Sequence, residues 1–249
     1  MPRKTLLKKR LSKMPKNPYS DFKMKAVAHR GYASKFSENT LTALNEAIKV
    51  GATMVEFDVQ LTKDGVPIMI HDDNFKRTTG VDLKVFEIDA SDIQKNNKLK
   101  EVSRVEEVMV WLKKTPGVTA FVELKQESIL FHGLEKCIKS LKKICDAAIS
   151  QCVFISFNPN AVEEAMKIGF LQTGWVVISY DSVGEETARK LNPNFLFADT
   201  EILPKGTGKL WRGEWEWVIY EVVSKEVASK LHPRGVNIIE SKDIEKMLS

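Results

Sequence analysis

The amino-acid sequence predicts an α/β protein, a TIM-like (β/α)8 barrel with a small insertion after the second barrel strand. Short apolar segments alternate with longer helical patterns, which is typical of a parallel sheet whose strands are connected by helices. The chain has 249 residues, and single barrels of this kind are about 250 residues long. Most of the apolar segments end in a polar or charged residue, and such barrels carry their chemistry at the carboxyl ends of the strands.

Eight apolar segments are the candidate barrel strands. Each is short and nearly continuous in apolar residues, as expected for strands that are buried on both faces of a sheet. The segments are 26–29, 54–59, 119–124, 152–157, 174–179, 195–198, 217–222 and 236–239.

A ninth apolar segment, 66–70, does not fit this alternation. It follows the second strand too closely for a parallel crossover, which needs a dozen or more residues. The intervening Lys63-Asp64-Gly65 is a turn signal. We therefore interpret 54–71 as a hairpin, and residues 72–102 as an insertion before the next helix.

Helical patterns fill most of the connections between strands. Helix-capping residues at 37–40 open the first helix, and Gly51 would end it. Apolar periodicity predicts one long helix over 127–148. Shorter helices are expected at 103–112, from Asn158-Pro159 onward, and at 181–191, 224–231 and 242–248. Segment 199–216 is rich in glycine and leaves little room for a regular helix.

The net charge of +5 is unevenly distributed. Residues 1–25 carry nine Lys or Arg and one Asp, a charge of +8, so the remainder carries −3. We expect residues 1–24 to be a basic N-terminal leader and 25–249 to be a single catalytic domain. A mildly acidic body argues against nucleic-acid binding. The leader is either a solvated segment or a weak contact for an anionic membrane surface.

The spacing of the three cysteines, Cys137, Cys145 and Cys152, is not that of metal ligands. Their odd number also argues against a complete disulfide framework. We expect small buried thiols and a reducing, cytoplasmic location. No apolar segment approaches the ~20 residues that span a bilayer, and none has the form of a signal peptide. The sequence does not indicate an oligomeric state.

Charged residues at two strand ends form the first candidate site. Glu56 and Asp58 are two apart on a strand, so both side chains project from the same face. Glu123 and Lys125 repeat that spacing on the next barrel strand. Three carboxylates in a barrel mouth would repel one another unless protons or a cation were present. Oxygen ligands alone favour Mg²⁺ or Ca²⁺, whereas separate salt bridges, such as Glu123 with Arg30 or Lys125, are the alternative.

Two histidines favour the catalytic interpretation. His29 ends the first apolar segment, and the predicted hairpin returns His71 to the end of the second strand. Two imidazoles beside a metal and an anion can act as general base and general acid near neutral pH. His132 and His232 lie in helical or loop sequence, and we assign them no role in the site.

A dense and ordered set of motifs runs through the same region. Its members are His29-Arg30-Gly31, Glu38-Asn39-Thr40, Glu56-Phe57-Asp58-Val59, Thr62-Lys63-Asp64-Gly65, His71-Asp72, Arg77-Thr78-Thr79-Gly80, Glu123-Leu124-Lys125 and Ser156-Phe157. In order and spacing, this set resembles the signature of the glycerophosphodiester phosphodiesterase family.

The resemblance implies a hydrolase that cleaves glycerophosphodiesters to glycerol 3-phosphate and an alcohol. It implies one divalent cation, an acid–base pair of histidines and two phosphate-binding cations. The implied metal ligands are Glu56, Asp58 and Glu123, the acid–base pair is His29 and His71, and the phosphate ligands are Arg30 and Lys125. Either the glycerol 2-hydroxyl attacks phosphorus to give a cyclic phosphate that water opens, or water attacks directly.

Two departures from the family pattern lie at the ends of the last strands. The family usually has Trp-Thr-Val-Asn where this chain has Tyr220-Glu221-Val222-Val223, and Thr-Asp where it has Glu240-Ser241. The added acids give the hypothesis of a cationic head group such as choline or ethanolamine. The alternative is that both acids pair with nearby Lys or Arg.

Three other functions remain open from the sequence. A lysophospholipase D or sphingomyelinase-D-like enzyme would share the metal and the histidines but needs an apolar groove for an acyl chain. A non-catalytic phosphate-binding barrel would not need the histidines and carboxylates. A sugar-processing barrel that used Glu56 and Glu123 as a carboxylate pair would leave His29 and His71 without a role.

Overall fold

The computed structural model describes residues 24–249, and the predicted leader lies almost wholly outside this range. The described residues form a closed barrel of eight parallel strands. A ninth strand, β3, is antiparallel and pairs with no strand other than β2 among the described residues. In chain order the strands are β1 (Lys25–Ala28), β2 (Met54–Leu61), β3 (Pro67–Met69), β4 (Thr119–Leu124), β5 (Cys152–Ser156), β6 (Thr173–Val176), β7 (Phe195–Asp199), β8 (Glu216–Tyr220) and β9 (Ile238–Ser241). All eight predicted barrel strands are therefore confirmed, with ends that differ by a few residues.

Strand β1 closes the barrel because it pairs in parallel with both β2 and β9. The predicted hairpin is also confirmed, since β3 runs antiparallel to β2 with Val59 opposite Met69. Gly65 makes the turn with a φ of +81°, a conformation that residues with a Cβ rarely adopt.

Helices cover the outside of the barrel. They are α1 (Leu41–Lys49), α2 (Lys76–Thr79), α3 (Ala90–Lys95), α4 (Val105–Lys113), α5 (Gln126–His132), α6 (Leu134–Cys145), α7 (Pro159–Lys167), α8 (Ser182–Leu191), α9 (Lys225–Leu231) and α10 (Ile244–Leu248). Several begin at side chains that accept a hydrogen bond from the first turn, as predicted: Thr40, Asn158, Asp181 and Ser224. None of the described helices has the length and apolarity needed to cross a membrane.

The prediction of one helix over 127–148 is wrong. Gly133 has φ +85° and ψ 146°, which is not helical, and it separates α5 from α6. The apolar periodicity included Leu130, but 76% of Leu130 is exposed, so it does not belong to the buried stripe. The three cysteines are free and buried, as expected.

The barrel has two cores that face opposite sides of the sheet. An outer core fills the space between the strands and the helices. An inner core fills the barrel and consists of alternate strand residues: Val27, Phe121, Val153, Ile155, Val176, Phe195, Phe197, Val218 and Ile238. Because strand side chains alternate with a period of two, the next inward position on each strand lies one layer closer to the carboxyl ends.

The insertion between β3 and α4 packs around its own small apolar cluster. The buried members are Ile68, Ile70, Phe75, Val85, Ile93 and Leu99. Between β7 and β8, residues 200–215 hold no regular helix, as predicted. Trp211 fixes this connection, because its ring stacks on Tyr180 at 4.1 Å and its carbonyl accepts a hydrogen bond from Trp217.

Candidate active site

The candidate site is the uppermost layer of the barrel interior. The alternation that points Val27, Phe121 and Ile238 inward continues to His29, to Glu123 and Lys125, and to Glu240. These side chains surround a cavity of about 130 Å³ at the carboxyl ends of the strands. The other lining residues are Arg30, Asp58, His71, Ile155, Phe157, Val176, Phe197, Tyr220 and Glu221.

Glu56, Asp58 and Glu123 come together in this layer, as the strand spacing predicts. All three are buried, and one oxygen from each lies within 4.8 Å of the others. Burial and the neighbouring carboxylates raise the pKa of Glu56 well above its usual range, and burial raises the pKa of Glu123 to about 7. Glu56 Oε1 is buried and has no hydrogen-bond partner among residues 24–249. Converging buried carboxylates with an unpartnered oxygen fit a hard divalent cation.

Arg30 and Lys125 lie against the same carboxylates. Arg30 Nε is 3.1 Å from Asp58 Oδ2, and Lys125 Nζ is 2.8 Å from Glu123 Oε1 and 3.3 Å from Asp58 Oδ1. Burial alone would raise the pKa of Asp58, but Lys125 and Arg30 hold it below its ordinary value. The salt bridges that the sequence left as an alternative are thus present, within the carboxylate cluster rather than instead of it.

His29 lies between two carboxylates because β1 lies between β2 and β9. Its Nε2 is 3.4 Å from Glu240 Oε1 and 3.9 Å from Glu56 Oε2, and its Nδ1 is 3.6 Å from Glu221 Oε1. Burial, and then the charge of Arg30, lower the pKa of His29 to about 3. The ring is therefore neutral near pH 7.

The two added acids behave differently. Glu221 pairs with Lys242 Nζ at 2.9 Å, as one alternative expected. For Glu240 that expectation is wrong, because no ion pair joins it to a Lys or Arg among the described residues. It is 3% exposed and faces His29. Its position on β9, next to β1, places it inside the barrel rather than on the rim.

His71 lines the same cavity and belongs to an ion-pair network. Its Nδ1 is 2.7 Å from Asp72 Oδ1, and Asp72 accepts hydrogen bonds from Arg77 at 2.6 and 3.2 Å. Arg77 and Arg30 both donate to Glu38 Oε1, at 2.7 and 2.9 Å. The network therefore connects His71 with Arg30. The hydrogen bond from Arg77 lowers the pKa of Asp72 to about 2.

The ionised Asp72 carboxylate fixes the tautomer of His71. A carboxylate without a proton can only accept, so His71 Nδ1 must donate. The lone pair of neutral His71 is then on Nε2. Sequence reasoning assigned no role to Glu38, Asp72 or Arg77, although the motifs contained all three.

Asn39 is a further residue that the motif contained without a role. Its Nδ2 donates to Asp58 Oδ2 at 2.9 Å, and its Oδ1 accepts from the Asp58 backbone N–H at 3.0 Å. Asn39 has a φ of +54°, which asparagine tolerates better than most residues. It therefore fixes the Asp58 carboxylate. His132, in contrast, contacts the Thr62 carbonyl outside the cavity.

Comparison with known proteins identifies the family of this chain. The model of the Glycerophosphoryl diester phosphodiesterase family matches residues 29–196. The glycerophosphodiester phosphodiesterase of Caldanaerobacter subterraneus is 29% identical over 238 residues, 90% of this chain and 96% of that protein. An uncharacterized Bacillus subtilis protein is 35% identical over 130 residues, 48% of this chain, and the match spans about half of that relative (53%). A human lysophospholipase D is 40% identical over 67 residues, 27% of this chain and 21% of that protein.

Solved structures share the barrel fold. The glycerophosphodiester phosphodiesterase of Thermotoga maritima aligns with a TM-score of 0.73 at 22% identity. The alignment covers 90% of this chain and 96% of that chain. A phosphodiesterase of Oleispira antarctica, in complex with the product sn-glycerol-3-phosphate, has a TM-score of 0.74 at 22% identity and covers 92% and 96%. Because the family model runs from the end of β1 into β7, the chain belongs to the glycerophosphoryl diester phosphodiesterase family of phosphodiester-hydrolysing enzymes.

Proposed function

We propose that this chain hydrolyses glycerophosphodiesters to glycerol 3-phosphate and an alcohol, with a divalent cation, Mg²⁺ or Ca²⁺, bound by Glu56, Asp58 and Glu123. The observation that supports it most is the convergence of these buried carboxylates with two histidines in one cavity. Family membership supports the reaction class, and the relative in Caldanaerobacter subterraneus carries the same activity in its name.

Arg30 and Lys125 would hold the phosphodiester. When bound, the cation would supply positive charge beside the phosphate and offset the repulsion among the three carboxylates. The N–H groups of Arg30 and Lys125 face the same cavity and can donate charge-assisted hydrogen bonds to the non-bridging phosphate oxygens. Glu38 and Asn39 hold Arg30 and Asp58 in place from the loop before α1.

His29 and His71 would transfer the protons. Neutral His29 can accept a proton from the attacking hydroxyl group, whereas His71, whose ring is held by Asp72 at Nδ1, would donate a proton to the leaving alcohol. The attacking group is either the glycerol 2-hydroxyl, which would give a cyclic phosphate that water opens, or water itself. Trapping of a cyclic phosphate in a single turnover would distinguish the two routes.

The cavity also supports a cationic leaving group. Tyr220 supplies an aromatic wall, and the Glu221 carboxylate, which also pairs with Lys242, lies at its edge. We therefore expect a higher kcat/KM for glycerophosphocholine than for glycerophosphoinositol, and we expect Glu221→Gln to reduce the difference. Equal values for the two substrates in the wild-type protein would contradict this preference.

The experiment that tests the function is release of glycerol 3-phosphate from glycerophosphocholine by the purified protein. Mg²⁺ or Ca²⁺ should support release, EDTA should abolish it, and Glu123→Gln should lose it at every metal concentration. Asp73→Asn, a change in an exposed carboxylate next to the site, serves as the matched control. Release that persists in EDTA would overturn the metal assignment, and no release under any condition would overturn the substrate.

A lysophospholipid substrate is the second candidate. Ile178, Val183 and Val223 are 66%, 70% and 64% exposed, and all three follow strands at the end of the barrel that holds the site. An acyl chain is too large for the cavity and would have to lie over these side chains. Release of choline from lysophosphatidylcholine vesicles, lost in an Ile178→Ser, Val223→Ser variant that keeps its activity on glycerophosphocholine, would establish this alternative.

We further propose that residues 25–249 act as one catalytic domain in a reducing, cytoplasmic compartment, and that the basic leader makes weak contact with anionic membranes. Flotation with phosphatidylserine vesicles, with and without residues 1–24, tests the last point. Equal flotation of both forms would exclude a role for the leader.

A further inference from the structure

A second group of ligand atoms lies beside the carboxylate triad, on the side of β1. His29, Glu56 and Glu240 are buried and each offers one atom, all within 4.8 Å of one another. Glu56 belongs to this group and to the triad, so the two groups share one carboxylate. The family pattern has threonine where this chain has Glu240, so the second group depends on a residue that departs from that pattern.

The distances in this group are those of ligands around an ion rather than of hydrogen bonds. His29 Nε2 is 3.4 Å from Glu240 Oε1 and 3.9 Å from Glu56 Oε2, beyond a normal N–H···O separation. Two atoms that each lie about 2.1 Å from one tetrahedral zinc ion are about 3.4 Å apart. The observed separations are thus close to the distance between two ligand atoms that bind the same metal ion.

Unpartnered buried atoms support the same interpretation. Glu56 Oε1 and Glu240 Oε2 are buried and find no hydrogen-bond partner in the part of the chain that the structure describes, and their residues are only 2% and 3% exposed. Buried polar atoms in proteins almost always have a partner, and a bound ion is one of the accepted explanations when they do not. The nearby cations Arg30 and Lys125 are bound to Asp58, Glu38 and Glu123 instead.

We propose that His29, Glu56 and Glu240 form a second divalent-cation position, next to the triad and joined to it through Glu56. An imidazole nitrogen with two carboxylates suits Zn²⁺, whereas an all-oxygen triad suits Mg²⁺ or Ca²⁺. Zn²⁺ is therefore the expected occupant of the second position in a protein whose triad holds Mg²⁺.

An ion at this position would inhibit the enzyme. This consequence depends on the proposed function, in which His29 accepts a proton. The lone pair that binds the ion is the one that would accept the proton, so the two uses of His29 Nε2 exclude each other. Zn²⁺ added to the Mg²⁺-saturated protein should therefore lower the rate of hydrolysis.

The test counts bound zinc by calorimetry in excess Mg²⁺, without substrate. We expect one tight Zn²⁺ per chain, which Glu240→Thr and the isosteric Glu240→Gln weaken by at least roughly ten-fold, since even partners behind metal ligands contribute 10–100-fold. Glu221→Gln is the matched control, because it removes the charge of the other carboxylate near His29 without changing the shape of the side chain, and it should keep the zinc. Thermal unfolding of each variant verifies the fold.

The outcomes separate this inference from the proposed function. Zinc binding that is unchanged in both Glu240 variants, or lost equally in Glu221→Gln, would overturn the assignment of ligands. Tight zinc binding that depends on Glu240, in a protein that hydrolyses no glycerophosphodiester, would support the second position and overturn the proposed function. In an active protein, the zinc concentration for half inhibition should rise at least roughly ten-fold in Glu240→Thr; inhibition that does not shift would overturn the inhibitory role.

Discussion

His71 Nδ1 and Asp72 Oδ1 lie 2.7 Å apart, and Asp72 is itself held by two hydrogen bonds from Arg77. The arrangement fixes both the orientation and the tautomer of His71. It does so through residues of the insertion, so the insertion orients a side chain that lines the cavity. Arg77 also contacts Glu38, which holds Arg30.

The first prediction concerns Asp72→Asn. An amide can donate to His71 Nδ1, which would move the ring proton to Nε2 and remove the negative charge beside the ring. We expect kcat to fall roughly 100-fold with little change in KM, since proton transfer typically contributes that much or more. Steady-state kinetics with glycerophosphocholine measures both constants.

Asp73→Asn is the control, because Asp73 follows Asp72 in the sequence and is partly exposed. Its ion pair with Lys84 is long, at 3.9 Å. It should keep the wild-type kcat. A rise in KM with an unchanged kcat for Asp72→Asn would show that the pair binds substrate and does not support proton transfer.

The second prediction concerns the pH dependence of stability without metal. The pKa of Glu123 is raised to about 7, above the ordinary value of 4.5. Its contribution to stability is therefore fully present below about pH 4.5 and is lost as the pH rises through about 7. A pKa difference of this size corresponds to at most about 3–4 kcal/mol.

Urea unfolding in EDTA should show this loss in the wild-type protein, whereas Glu123→Gln should be less sensitive to pH over the same range. Saturating Mg²⁺ should remove the wild-type loss, because bound ligand stabilises the folded state. A wild-type protein in EDTA that is equally stable at pH 5 and pH 8 would contradict the picture of three crowded carboxylates.

Sequence reasoning located the site because it depends on regular geometry. The period of two along β2 and β4 determines that Glu56, Asp58 and Glu123 face inward, and the closed sheet then brings them together. The network of Glu38 and Arg77 was not predictable in this way. These residues are 39 positions apart on two irregular segments, and nothing in the pattern of either segment shows that they meet.

Two other errors have equally local causes. The break at Gly133 was hidden because the helices on either side continue similar apolar spacing, and a single glycine is tolerated within helices. The contact between Glu240 and His29 was not predicted because the last strand ends at 239 in the prediction, whereas β9 ends at Ser241 in the structure. The two added residues carry the inward alternation on to Glu240.

The third prediction concerns Asn39, which positions Asp58 without touching the cavity. Asn39→Gly removes the amide but keeps a residue that accepts a φ of +54°, whereas Asn39→Ala removes both. Both variants should bind Mg²⁺ roughly 10–100-fold more weakly, as expected when a partner of a metal ligand is lost. Calorimetry measures the affinity, and Mg²⁺ binding at wild-type strength in either variant would exclude this role. Asn39→Ala should unfold at a lower urea concentration than Asn39→Gly, because it adds backbone strain to the hydrogen bonds that both variants lose.

The fourth prediction concerns Gly31, where the loop after β1 crosses α1. Its φ is +78°, and an added Cβ would lie 2.6 Å from the Ala43 backbone carbon and 2.8 Å from the Leu44 nitrogen. Backbone atoms within a helix cannot move aside, so Gly31→Ala must displace either α1 or the neighbouring His29 and Arg30. We expect a loss of at least about 3 kcal/mol in unfolding free energy and a fall in kcat.

Gly80 separates backbone strain from close packing. It has nearly the same φ, +75°, but an added Cβ there would meet no atom within 4 Å. Gly80→Ala should therefore cost only about 1–2 kcal/mol, the strain of a left-handed residue with a Cβ. Urea unfolding compares the two variants. Similar losses in both would show that conformation alone requires glycine at position 31, whereas a larger loss in Gly31→Ala would show that the site needs α1 packed directly against the loop that carries His29 and Arg30.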